Sequence, residues 1–281
     1  TKPELCDFRG RSLRQAFQLV AMIISIALTP VVVDKLGWSM TAIVYGLLGG
    51  AVIIYMALTS HEKPVTEEEK KPQLWDSVKT LLVNKKFWIA GITNAFYSAG
   101  MSLVMAGLPI YAKYTLGISS GQQSILFGGV LLVAIGAVAL WANWVKKYDL
   151  VKVWRFAIGT LAFTYIPLYF ANSFYAALAC AMLVGFGFAG VITTMDLIQA
   201  RIMDEDQAKH NVRREGIISN ALGFMNRLNG LFTSAAYALL GVLFGYVSGE
   251  VPGPQPGTAA RFLLTVFPLV MMILSLGFSF L

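Results

Sequence analysis

Long apolar runs separated by short polar interruptions dominate this chain. A helix that crosses a bilayer needs about 20 mostly apolar residues. Eight segments reach that length, at about 12–33, 38–59, 87–111, 121–145, 153–171, 173–200, 216–248 and 259–281. The pattern predicts an all-α integral membrane protein with eight transmembrane helices. Most interruptions, such as VDKLGW and FANSF, are short turns. SGEVPGPQPGTAA is longer, and its prolines and glycines predict a loop without helix. The longest interruption, 60–86, ends in QLWDSVKTLLVNKKFW. Helical spacing places Leu74, Val78, Leu81 and Leu82 on one face there, flanked by Trp75 and Trp88. This predicts a short helix lying on the membrane surface.

Charge adds an orientation to this picture. Charged residues are 13% of the chain and hydrophobic residues 57%, where a soluble domain carries about 25% charged residues. Of the 22 Lys and Arg, 18 fall on one side of the predicted membrane and three (Lys35, Lys113 and Arg261) on the other. Basic residues concentrate on the cytoplasmic side. Both termini and the 60–86 loop are therefore expected in the cytoplasm of a multi-pass cell-membrane protein. The net charge of +7 is thereby explained without nucleic acid as a partner. Cys6, Cys180, His61 and His210 are scattered, without CxxC or HExxH spacing, so no metal site is expected. No nucleophile–base pair or acidic dyad appears in a helix, which argues against an enzyme.

The remaining basic residue is Arg227, inside the apolar run that begins at Ile217. Counted from Glu215 at about 1.5 Å per residue, it lies roughly 18 Å along the helix, near the middle of a bilayer core about 30 Å thick. An ionisable group at that depth normally faces a wet cavity or a counter-charge. Asn220, Gly223, Arg227, Gly230 and Ser234 are spaced 3, 4, 3, 4 and form one small, polar stripe. The stripe suits a cavity wall; a structural ion pair or a close helix contact is the alternative. Asn94 and Tyr97 on the third predicted helix could donate hydrogen bonds to a polar substrate or join neighbouring helices. Gly185, Gly187 and Gly190 read as helix-packing positions, and Asp196 could pair with Arg201.

The stretch MDLIQARIMDEDQAKHNVRREG, followed by F-x-x-R at Phe224 to Arg227, resembles the glycoside–pentoside–hexuronide:cation symporters, the melibiose-permease-like branch of the major facilitator superfamily. That family carries an acidic D-x-D/E cluster, then RREG, then F-x-x-K. Asp204, Asp206, Arg213, Arg214, Glu215 and Gly216 fall in register, and Arg227 stands at the lysine position. DFRGRSLRQ, SVKTLLVNKKFWI and GPQPGTAARFLLTVFP resemble the leads into the family's helices 5, 7 and 12, in the right order.

The resemblance implies a major-facilitator-type helical bundle and cation-coupled symport of a sugar or glycoside by alternating access. Residues 1–59 would be the last two helices of the N-terminal bundle, 60–86 the cytoplasmic linker and 87–281 the C-terminal six-helix bundle. The chain would be a fragment covering helices 5–12, inactive alone and monomeric, with a lipid bilayer and a small-molecule sugar as its partners. Arg227, Asn220, Asn94, Tyr97, Arg14 and Gln18 are the candidate substrate residues. Asp204, Asp206, Arg213, Arg214 and Glu215 are the candidate cytoplasmic gate. No covalently bound cofactor is expected. The coupling cation, Na+ or H+, would bind helices 2 and 4, outside this chain. The competing readings are a carrier for a lipid-like or amphipathic anion, and a non-transporting protein that keeps the fold.

Overall fold

The computed structural model describes residues 21, 25, 28–59, 74–210, 214–247 and 253–281. Most of the first predicted helix lies outside the described residues, as do Arg14, Gln18 and Arg213. Among the described residues every regular element is helical. They are α1 (Thr29–Thr59), α2 (Leu74–Val83), α3 (Lys85–Tyr111), α4 (Ser120–Lys147), α5 (Leu150–Tyr169), α6 (Phe174–His210), α7 (Glu215–Arg227), α8 (Asn229–Phe244), α9 (Pro256–Arg261) and α10 (Phe267–Phe278). Single π-helical turns at Ala112–Leu116 and Phe262–Val266 extend α3 and join α9 to α10.

Six apolar stretches are long enough to cross a membrane: α1, α3 with its π turn, α4, α6, α7–α8 and α9–α10. The 20 residues of α5 also suffice in length, but Lys152 and Arg155 near its start lower its hydropathy. The expected eight spans thus become six clear ones among the described residues, with α5 packed between them.

Local chemistry explains most boundaries. Asn84 caps α3, its Oδ1 accepting from Phe87 N at 3.3 Å. Ser119 and Gln122 form a reciprocal capping box at α4. Asp149 Oδ2 accepts from Val151 N and Lys152 N at the start of α5. Gly37, at φ 76°, kinks α1 inside VDKLGW, where the turn was expected.

Three expectations need correction. The acidic stretch after Arg201 is the last two turns of α6, which runs to His210 rather than 200. Its residues are adequate helix formers, and Arg201–Glu205 and Asp206–His210 pair at i,i+4. The helix expected from about 259 starts earlier, with α9 taking in Pro256, Gly257 and Thr258 of the predicted loop, because proline at the first helical position needs no N–H partner. In α2, Leu81 is buried against the bundle while Leu82 and Val83 are exposed, so adjacent leucines 100° apart do not share one buried face.

The core is organised around α6, which lies against both α4 and α5. Glycines set that approach. A Cβ at Gly185 would meet the Val130 carbonyl oxygen of α4 at 2.2 Å, and one at Gly187 would meet Leu161 Cα of α5 at 2.8 Å. At Gly190 the Trp141 ring occupies the space, 2.5 Å from an added Cβ. That indole is fully buried and donates to Phe186 O at 3.0 Å. α10 closes the other side against α3 and α5, with Ser275 Oγ donating to Thr93 O at 2.9 Å. By contrast α1 buries only Thr41 among its side chains.

Gly185→Ala should sharply reduce folded protein, because the obstacle is backbone and cannot rotate away; overpacking typically costs about 1–3 kcal/mol. Gly128→Ala, where an added Cβ meets nothing within 4 Å, should be neutral or stabilising by roughly 0.5–1 kcal/mol. Melting in detergent, followed by the monodisperse fraction, distinguishes the two. Equal behaviour would show that the α4–α6 contact does not hold the bundle.

Candidate functional site

The helix expected over 216–248 forms one span, Glu215–Phe244, with a tightened turn at Leu228. α7 ends at Arg227, Leu228 adopts φ −64° and ψ −13°, and α8 begins at Asn229. In that turn Leu228 N donates to Met225 O and Leu231 N to Leu228 O, each spanning three residues. A spanning helix tolerates such a turn where neighbouring polar groups satisfy the backbone or a cavity hydrates it.

Two amides anchor the turn to α3. Asn94 Nδ2 donates to Asn226 Oδ1 at 2.6 Å, and Asn229 Nδ2 donates to Ser102 Oγ at 3.1 Å. The apolar side of α7, with Ile218, Leu222 and Met225 buried, packs on the same helix. Gly91 makes room for it: a Cβ there would lie 2.5 Å from Met225 Sδ.

The opposite face is uncovered. Asn220, Arg227, Gly230 and Ser234 are exposed and Gly223 is half-exposed. Added Cβ atoms at Gly223 and Gly230 would meet nothing within 4 Å. Among the described residues Arg227 has no hydrogen-bond or ion-pair partner, so no structural ion pair within this bundle accounts for it. Apolar Phe224, Leu228 and Leu231 flank it and are exposed too. Asn94, another candidate substrate residue, does not lie on this face. It is buried, and its amide is engaged with Asn226. Tyr97, on the same helix, is half-buried.

The charged cluster lies where α6 meets α7. Arg214 and Asp206, both buried, form a two-pronged pair, Nε to Oδ2 and Nη2 to Oδ1, each at 3.1 Å. His210 Nδ1 stands 3.3 Å from the same carboxylate. Glu205 joins Lys86 of α3 at 2.5 Å and Arg201 at 3.2 Å. These described pairs connect helices within one bundle. They join the end of α6 to the start of α7 and to α3. Asp204 is exposed and, with Asp196 and Glu215, lines a cavity of about 280 Å³ between α6 and α7.

The sequence reading missed Asn226, Asn229, Ser102, Glu205 and Lys86. The signal for the first two was present: a polar residue on either side of Arg227, three apart, in an otherwise apolar run.

These features define a multi-pass helical membrane protein with a tightened turn and a polar stripe near the middle of one span. The chain belongs to the family described as MFS/sugar transport protein, which it matches over residues 11–281. It is 22% identical over 232 residues to a D-arabinitol transporter of Klebsiella pneumoniae, covering 77% of this chain and 53% of that protein. It is 20% identical over 254 residues to the uncharacterized symporter YnaJ of Bacillus subtilis (strain 168), covering 86% of this chain and 53% of that protein. The chain thus spans about half the length of these relatives. Family and relatives are transporters, not enzymes.

Breaking the Asp206–Arg214 pair tests that junction. Asp206→Ala should cost about 3–5 kcal/mol by leaving a buried guanidinium unpaired, whereas Asp206→Leu with Arg214→Met should cost far less. Melting of both variants decides it, and equal losses would mean that the pair is not what holds the turn.

Proposed function

We propose that this chain forms part of a secondary active transporter for a sugar or sugar alcohol, coupled to Na+ or H+ and working by alternating access. The observation that carries the reading is Arg227. It is a permanent cation at mid-depth, unpartnered among the described residues, exposed on the face opposite the bundle core and placed beside a tightened turn. Ionisable groups inside a span mark substrate or ion pathways in transporters. The family match and the relatives' names support the substrate class. The coupling cation would bind acidic groups on helices 2 and 4 of the family pattern, outside this chain.

In this reading Arg227 and Asn220 face the substrate. Asn94 holds Asn226 and so positions the turn. The Lys and Arg asymmetry supports a cytoplasmic position for both termini and the 60–86 loop. A second reading, an amphipathic anion as substrate, is favoured by Phe224, Leu228 and Leu231 beside the cation.

In the complete carrier, Arg227→Leu should abolish uptake while melting stays near wild type. Arg227→Lys should retain part of the rate, since charge persists but the planar fork is lost. Arg227→Gln should lose it. Initial uptake of a polyol and of an anionic amphiphile, per folded carrier, is the measurement. Wild-type uptake by the leucine variant would remove Arg227 from the mechanism, and activity on the amphiphile alone would select the second reading.

A further inference from the structure

The short helix α2 turns large apolar side chains outward. Trp75 is 70% exposed, Leu82 59% and Val83 85%. Trp75, Lys79 and Leu82 are spaced four and three residues apart, so they share one face of the helix. Leu81, turned about 100° from Leu82, is instead buried in the bundle core. α2 thus has an inner side, which meets α3 and α7, and an outer side that is apolar and uncovered among the described residues.

The connection to α3 fixes the depth of that outer side. Only Asn84 separates α2 from α3, whose apolar run begins at Phe87 and is long enough to cross a membrane. Trp88, in the first turn of α3, donates its indole N–H to Leu82 O at 3.0 Å and is itself exposed. Leu82 and Val83 therefore lie at the level where a span enters the bilayer. Tryptophan is enriched at that level, where its amphipathic ring suits the headgroups. Charge points the same way. Residues 74–86 hold three lysines against one acid, Asp76. Lys79 and Lys85 are exposed, and Lys79 Nζ sits 5.9 Å from the centre of the Trp75 ring. A basic segment beside a span is attracted to anionic headgroups. Apolar and basic side chains at one depth suit the layering of a bilayer surface, with acyl chains beneath phosphates.

We propose that α2 docks on the bilayer surface where α3 enters it, with Trp75, Leu82 and Val83 inserted and Lys79 and Lys85 against the phosphates of anionic lipid. The inserted face differs from the one that spacing alone picks out, because Leu81 turns inward. Through Leu81 and the contact with α7, the lipid surface is tied to the bundle and to the helix that ends in Arg227. The docking does not depend on the transport reading.

The test uses the full carrier in nanodiscs of phosphatidylcholine with phosphatidylglycerol. A single spin-labelled cysteine is introduced as Trp75→Cys, Leu82→Cys or Val83→Cys, with all other cysteines removed. Collision of the label with oxygen, which concentrates in lipid, is compared with collision with a nickel chelate, which stays in water. Leu132→Cys, at an exposed position on α4, gives the lipid reference. At the three α2 sites oxygen collision should dominate, though less than at 132. Dominant nickel collision would place the face in water, and low collision with both would place it against protein; either result would overturn the docking. Agreement of two sites decides, so a local disturbance by one label does not. Amide exchange over residues 74–83 tests the lysines. Adding phosphatidylglycerol to phosphatidylcholine discs should slow it, and Lys79→Gln should cut that protection roughly fivefold, the share of one basic residue at an anionic surface. Exchange indifferent to phosphatidylglycerol, or protection that Lys79→Gln leaves intact, would overturn the pairing with anionic lipid.

Discussion

The close approach of α6 to two neighbours is the contact on which the rest of the bundle depends. Lipid tails are as apolar as leucine, so helices in a membrane are not driven together by exclusion from water; packing and hydrogen bonds decide. Gly185 and Gly187 let α6 meet α4 and α5 backbone to backbone, and Gly190 seats Trp141. With these three helices fixed, α3 and α10 have a surface on which to pack. α7–α8 then lies mainly on α3, leaving its other face to be covered by something else.

That uncovered face has a particular chemistry. A guanidinium at mid-depth is costly in hydrocarbon unless it meets water or an anion. Two asparagine amides facing α3 are satisfied inside the bundle, whereas the arginine between them is not. The same short stretch therefore separates two roles. Asn226 and Asn229 hold the turn in place, and Arg227 is carried outward by it. Helical geometry forces the separation, because residues 226 and 229 share a face and 227 is turned 100° from 226.

Much of the fold was legible because apolar length acts locally. The caps Asn84, Ser119 and Asp149 lie within a few residues of the starts that apolar length places at 87, 121 and 153. The polar stripe was also legible, since spacing alone places Asn220, Gly223, Arg227, Gly230 and Ser234 together. What sequence could not supply were interactions between distant segments. Asn94 and Asn226 are 132 positions apart, and nothing in either neighbourhood names the other. The sequence leaves Asn94 open between a substrate contact and a tie to a neighbouring helix, and the structure shows the tie to Asn226. The end of α6 was misplaced for a related reason. A run of charges reads as loop until its i,i+4 pairs and the tie from Glu205 to Lys86 are seen. The tightened turn at Leu228 has no proline or glycine of its own, so periodicity runs straight through it and the span continues.

The two sets of polar contacts along α7 bear on how such a bundle could work. At one end Arg214 grips Asp206 of α6; at the other Asn226 and Asn229 grip Asn94 and Ser102 of α3. A helix fastened at both ends to two different neighbours cannot slide or rotate without breaking buried polar contacts, each costing about 1–3 kcal/mol when one partner is stranded. Motion within this bundle is therefore expensive at the element that carries Arg227. Motion of the whole bundle against another body breaks none of these contacts. If transport proceeds as proposed, the economical route is rigid-body rocking, with Arg227 moving as a fixed part of its bundle and the substrate exchanging one aqueous side for the other around it.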